Sequence, residues 1–571
     1  MKQSLFYLGS LLILLVTFSS CSSKADAPVP ADAAFVLHIN GESISEKLPW
    51  SEIKKSQWFQ LATEDAVDED SLGKALLNDP SKSGIDIQSD GWIFIANRGK
   101  GGYSALSWKL KDAAQFESLI QKANTDDKIQ KSGAVSFIGK GSTVLSWSKD
   151  RLFLVSDASD FARELNGGAN NSSPVPDTLY DSPFEESFSF KADSLIQIAQ
   201  ELFNLKSGQK LSNDSKFSNL VKTEGDVHFW FNVGKMYGNS LAGNLLSLSK
   251  VGSLVDGNIA TATVNFNKGS IDVESKGYMG KELEALYDKY QASNFDVASL
   301  QNLPAGEVNV AVAMNYPTEG VKAFFTLLGV DGLVNTFMQQ SGFSVDEFIK
   351  ANGGNLFFAL TDFNIKKVEQ SFGGYDEQTI FTSEPDGKLI FGAEVKDKTA
   401  FQKMMDVAKN ILTGTSGMSQ EELSKIPYEL KDKWFLAGSD SAQIKAYANK
   451  KTDHAFIDQI KGHPMGLFVN ISSFIKAALA VIGDEPMGKA VANLSIPFWK
   501  DLVMTGGEFK NGASISQVKI NLGDANTNSL QSLNQYLGQI AKLSKEDEER
   551  RKKEWDEFNS PDSTVIIAPE Y

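Results

Sequence analysis

The 571-residue sequence predicts an α+β fold of two tandem related domains, mainly antiparallel sheets with helices packed on one face. Three observations carry this prediction. One pattern occurs twice: ALSWKLKDAAQFESLIQK from Ala105, and LIFGAEVKDKTAFQKMM from Leu389. In each copy apolar residues alternate (Leu106, Trp108, Leu110; Phe391, Ala393, Val395), a Lys-Asp pair follows, and apolar positions then recur at helical spacing (Phe116, Leu119, Ile120; Phe401, Met404, Met405). Other segments echo in the same order: VPADAAFVLHIN from Val29 with LPAGEVNVAVAMN from Leu303, KDRLFLVSDAS from Lys149 with KDKWFLAGSDS from Lys431, and FNKGSIDVES from Phe266 with FKNGASISQV from Phe509. Colinear echoes over this much chain argue for duplication of one unit. Hairpins alternate with isolated helices, without the regular βαβ succession of a doubly wound sheet.

Residues 1–20 read as a lipoprotein signal peptide. Lys2 precedes an apolar run from Leu5 to Phe18, and Ser19, Ser20 and Cys21 follow. The run is too short for a comfortable membrane span, and small residues before a cysteine are the pattern at which a leader is cut and the new terminal thiol acylated. Cys21 is the only cysteine, which excludes a disulfide within the chain. Several acyl chains on Cys21 would anchor the protein to membrane lipid, each buried methylene contributing about 0.8 kcal/mol. Residues 21–28 form the lipidated tether.

The first repeat domain, 29–290, opens on a strand at Ala34–Ile39 and carries an insertion near 162–226. Within that insertion Gly167–Pro183 reads as a loop and Ser194–Phe203 as an amphipathic helix that covers a sheet face or meets a partner. Trp50 and Trp58 are expected to plug the join between helix and sheet. The acids from Glu64 to Asp70 lack the alternating ligands and central glycine of a calcium loop and read as a solvated face. Residues 291–302 form a linker. The second repeat domain, 303–543, carries a hairpin insertion near 363–388 turning at Gly373-Gly374, a candidate partner surface. Residues 544–571 form a charged helical extension and tail, in which Trp555 and Phe558 are docking candidates and Val565–Ala568 a short strand.

The formal charge of −16 disfavours nucleic acid, and no basic patch interleaves with aromatic residues. The four histidines, His38, His228, His454 and His463, show no compact metal-ligand spacing, so no metal and no cofactor is expected. No Gly-x-Ser-x-Gly elbow occurs. Gly483 to Lys489 imitates a phosphate loop, but Ala490 stands where Ser or Thr is needed, and Asp484, Glu485 and Pro486 spoil the anion cradle. No catalytic residue is assigned.

The leader, the opening VPADAAFVLHINGESI, KLPWSEIK and the repeated KD-x-x-x-F unit together resemble a domain-of-unknown-function family of large lipoproteins from Bacteroidota. That resemblance implies an envelope location, the outer membrane, and brings no catalytic site with it. The resulting expectation is a membrane-tethered binding or scaffold lipoprotein with an envelope protein partner. The periplasmic side is preferred, because Ser22–Asp26 holds one acid rather than a cluster. A glycan-acting hydrolase and a solute-binding lipoprotein with ligand between the halves are the alternatives.

Overall fold

The computed structural model describes residues 27–64, 79–98, 101–123, 128–158, 190–237, 252, 254, 257–372, 378–415, 419–447, 452–482 and 485–559. Within these limits eighteen strands join into one antiparallel sheet. The first group is β1 (Ala33–Ile39), β2 (Gly91–Arg98), β3 (Gly101–Lys109), β4 (Gln130–Ser132), β5 (Val135–Lys140), β6 (Thr143–Trp147), β7 (Arg151–Asp157), β8 (Val227–Asn232), β9 (Ile259–Asn267) and β10 (Ser270–Tyr278). The second is β11 (Val308–Asn315), β12 (Asn352–Phe372), β13 (Gln378–Val395), β14 (Tyr428–Lys431), β15 (Trp434–Gly438), β16 (Met465–Val469), β17 (Trp499–Lys510) and β18 (Ala513–Leu522).

Pairing places the first group in the order β4-β5-β6-β7-β3-β2-β1-β8-β9-β10. The second runs β14-β15-β13-β12-β11-β16-β17-β18. From β6 and from β14 onward the two successions coincide. The groups meet edge to edge, β10 against β18, antiparallel from Ser270↔Asn521 to Tyr278↔Ala513. The two groups therefore form one continuous sheet, because the last strand of each satisfies the backbone donors and acceptors of the other.

The repeated KD unit has a clear local cause. Asp112 Oδ1 accepts from Gln115 N at 2.9 Å, and Asp397 Oδ1 from Ala400 N at 2.8 Å. Each aspartate thus caps a helix that starts as the preceding strand ends, Ala113–Ala123 in one group and Lys398–Thr415 in the other. Phe116 and Phe401, one turn in, are buried against Trp147 and Phe435. Burying a phenylalanine side chain contributes roughly 1.5–3 kcal/mol. The β17–β18 turn is equally local: Asn511 and Gly512 take φ of 54° and 73°, the left-handed pair a tight hairpin requires.

Helices lie on both sheet faces, which corrects the one-face expectation. Phe94, Ala105 and Phe153 point to the side covered by helix Ala192–Phe203, whose Leu195 and Ile198 are buried there. The alternate residues Leu106, Trp108 and Leu145 point to the side covered by Phe116 and Ile120. Alternation along β3 and β6 leaves both faces apolar, so both need a cover. The amphipathic segment of the insertion is thus a sheet cover.

Ala27 and Pro28 are buried, so the body begins before the expected end of the tether. Phe295 and Leu300, in the expected linker, belong to the second core with Phe357 and Leu436. The last helix of each group crosses to the other. Helix Lys281–Lys289 packs on Thr318–Leu328, and the long helix Ser529–Phe558 packs on Gln57–Glu64. Trp50 and Trp58 serve this crossing and not the expected helix–sheet join. Trp58 Nε1 donates to Asn534 Oδ1 at 2.7 Å, Trp50 and Trp58 pack edge-on to Phe59, and Leu530 closes the cluster.

Candidate functional site

A buried polar constellation lies where β1 runs between β2 and β8. Register sets His38 opposite Trp92 on one side and His228 on the other. His38 stacks on Trp92 with ring centroids 4.1 Å apart, and the two imidazoles meet Nδ1 to Nδ1 at 3.0 Å. His228 Nε2 lies 3.0 Å from the Thr223 carbonyl, which can only accept, so Nε2 carries hydrogen. In a neutral His228 ring Nδ1 is then an acceptor, and His38 donates from Nδ1. His38 Nε2 makes no hydrogen bond and sits 3.6 Å from Asp90 Oδ1.

Beside it Asp226 is wholly buried. Its carboxylate accepts from Lys47 Nζ at 2.8 and 2.6 Å, from Phe266 N at 2.6 Å, and from the Ser43 hydroxyl. Asn40 N donates to the Asp226 carbonyl at 2.9 Å, and Asn40 Nδ2 to Gly225 O at 3.0 Å. The set fastens helix Gly41–Lys47 to β8 and β9. A buried carboxylate is tolerable when its lone pairs are filled in this way. His38 is 4% and His228 1% exposed, so no substrate reaches either ring in this conformation. The constellation ties β1, β8, β9 and helix Gly41–Lys47 together.

The corresponding place in the second group is apolar. Ala313 on β11 stands between Phe357 and Gly466. Phe357 packs against Trp434 and stacks on Tyr447, whose hydroxyl donates to Ser299 O at 2.9 Å. A Cβ on Gly466 would lie 2.6 Å from Ile460 Cβ, and one on Gly392 1.9 Å from the Phe357 ring, so both positions admit only glycine. Burial pushes the Tyr447 phenol up.

Among the described residues no group of three or more His, Cys, Asp or Glu is arranged to hold a metal ion. His454 and His463 lie apart from the first pair. His463 Nδ1 meets Glu508 Oε1 at 2.8 Å, and burial lowers the His454 pKa. Where carboxyl pKa values shift, they are held down: Glu201 by Arg98, Glu117 and Glu508 chiefly by Lys131 and Lys510, and Asp397 by its helix-capping bond to Ala400 N. None of these is the raised carboxyl a glycosidase uses as its acid. At the phosphate-loop lookalike Glu485 Oε2 itself accepts from Gly488 N at 2.6 Å, taking the place of an anion at that helix start.

Two features project from the sheet. β12 and β13 remain paired from Asn364↔Asp386 to Phe372↔Gln378, beyond Thr361 and Ile390, their last residues paired with β11 and β15. The sequence located this ribbon, while its turn at Gly373-Gly374 lies outside the described residues. The C-terminal helix is the other, with Trp555 67% exposed. Cys21, the loop Gly167–Pro183, the acids Asp65–Asp70 and Val565–Ala568 also lie outside the described residues. The register that joins His38 to His228 across 190 residues escaped sequence reading; their placement in two apolar strands was the only local signal.

The profile of a family described as a domain of unknown function, DUF4836, matches residues 26–164, which reach from before β1 through β7. No curated protein sequence matches the chain. Among solved structures, TP0453 is similar at 10% identity in three crystal forms: form III covers 47% of this chain and 86% of its own with a TM-score of 0.24, form I 48% and 88% with 0.23, and form IV 45% and 81% with 0.24.

Proposed function

We propose that the protein is a binding or scaffold lipoprotein of the cell envelope, tethered to the outer membrane through acylated Cys21 and facing the periplasm. The reading treats the two strand groups as related units, 29–290 and 303–543, that arose by duplication. Shared strand succession and reciprocal crossing of the terminal helices support it. The observation that carries the binding role is the β12–β13 ribbon, which outruns its strand neighbours. A two-stranded ribbon is marginal in water and gains stability from a surface laid against it. Along the β10–β18 seam the groups are hydrogen bonded, leaving no gap there for a solute between the halves.

The test is a crosslinking pull-down from native envelopes with the tagged chain, a Cys21→Ala chain exported by an ordinary signal peptide, and a chain whose ribbon beyond Asn364 and Asp386 is replaced by a short turn. One envelope protein captured by the parent and lost from both variants is the expected result. Equal capture by the ribbonless chain would refute the assignment of the ribbon.

A further inference from the structure

In the first group the helices that follow β1 are covered by the long C-terminal helix through Trp58, Phe59 and Leu530. The helices that follow β11, Thr318–Leu328 and Asp331–Gln340, are met at their base by Lys281–Lys289 and then extend onward, bent by 118° from each other. Leu333 is 76%, Phe337 59% and Phe324 39% exposed. We propose that this bent pair is a wedge that enters the surface of a lipid bilayer. The proposal deepens the tethered-lipoprotein reading and rests on it for the nearness of a membrane.

Four observations select lipid as the occupant. From Ala323 to Gln340 the chain holds a single ionisable side chain, Asp331, at the start of its helix where the helix dipole favours an acid. The charges at the base are paired with neighbouring elements while staying solvent-exposed, Lys322 with Asp346 at 2.8 Å and Glu319 with Lys396 at 3.8 Å. Both threonine hydroxyls turn onto their own helices, Thr326 to Lys322 O at 3.1 Å and Thr336 to Gly332 O at 2.8 Å, so neither needs water. Although neither helix alone is long and apolar enough to cross a membrane, the pair together has the length and composition of a broken span. A groove for a partner helix would carry a charged rim, whereas two helices diverging at this angle present an apolar tip at Leu327, Leu328, Val330 and Leu333. Five residues, Ser22 to Asp26, separate Cys21 from the buried Ala27 and span at most about 20 Å, so the anchor holds the body at the bilayer.

The test uses the full mature chain with Cys21→Ala, which removes both the anchor and the only native thiol. With Leu333→Cys added, an environment-sensitive fluorophore reports on this position alone. Phosphatidylcholine vesicles are expected to float the unlabelled Cys21→Ala chain regardless of salt and to shift the label's emission to the blue. Leu333→Asp with Phe337→Asp should cut flotation by about tenfold or more while circular dichroism and the unfolding midpoint stay unchanged. Flotation undiminished in that variant overturns the wedge. So does a blue shift that rises with protein concentration without vesicles, which would assign the patch to a second copy. Acylation plays no part in this assay, so failure of the wedge and failure of the tether are read separately.

Discussion

The two strand groups fill one position in opposite ways. Where β1 of the first meets its neighbours stand His38, Trp92 and His228, with the Asp226–Lys47 pair beside them; the second group has Ala313, Phe357 and Gly466. The same strand succession accepts either filling, under different conditions. The polar one relies on bonds to Thr223, Ser43, Lys47 and Phe266. The apolar one relies on shape: Gly392 lets Phe357 settle against Trp434 and Tyr447, and Gly466 makes room for Ile460. Buried polar sets fail when one member is lost, apolar ones when volume is lost.

The largest single-site effect is expected at the apolar position. Phe357→Ala should cost about 3–5 kcal/mol, measured by urea unfolding, since Gly392 beside the ring has no side chain to fill the space it leaves. Next comes the seam. Val518 pairs with β10 on one side and β17 on the other, and Val518→Pro should cost about 3 kcal/mol and split one unfolding transition into two. A single transition in that variant would show that the crossed terminal helices alone couple the groups. At the polar position Asp226→Asn should cost about 1–3 kcal/mol, because one amide cannot accept from Lys47, Ser43 and the Phe266 amide together.

The smallest effect is the proton-linked one. Burial lowers the His454 pKa, so the folded state binds that proton less readily than the unfolded chain. Its contribution is therefore present above about pH 6.5 and lost as pH falls through the folded value. His454→Gln should flatten the fall of the urea midpoint in this window and leave the steeper acid loss, which follows carboxylates such as Glu201 and Glu508, unchanged. A midpoint whose pH dependence is the same with Gln at this position would remove His454 from the account.

What the sequence revealed and what it hid divide along one physical line. The KD unit was legible because strand alternation, an aspartate cap and a buried Phe116 or Phe401 fall within a dozen residues. The β9–β10 and β17–β18 hairpins and the ribbon were legible for the same reason. Contacts set by the register of distant strands were not: His38 with His228, β10 with β18, and Trp58 with Asn534 across 476 residues. Alternation along β3 marks an apolar set on each side, but only the assembled sheet shows that both sides receive helices. Leu333 and Phe337 are exposed, and among the described residues the long C-terminal helix packs on Gln57–Glu64 of the first group.

The tether is tested most directly by the intact mass and N-terminal peptide of the protein extracted from its native envelope. The account requires a chain beginning at Cys21, with the mass of a diacylglyceryl thioether on its sulfur and the hydrophobic partitioning that goes with it. An unmodified Cys21 thiol, or a chain retaining residues 1–20, would contradict it.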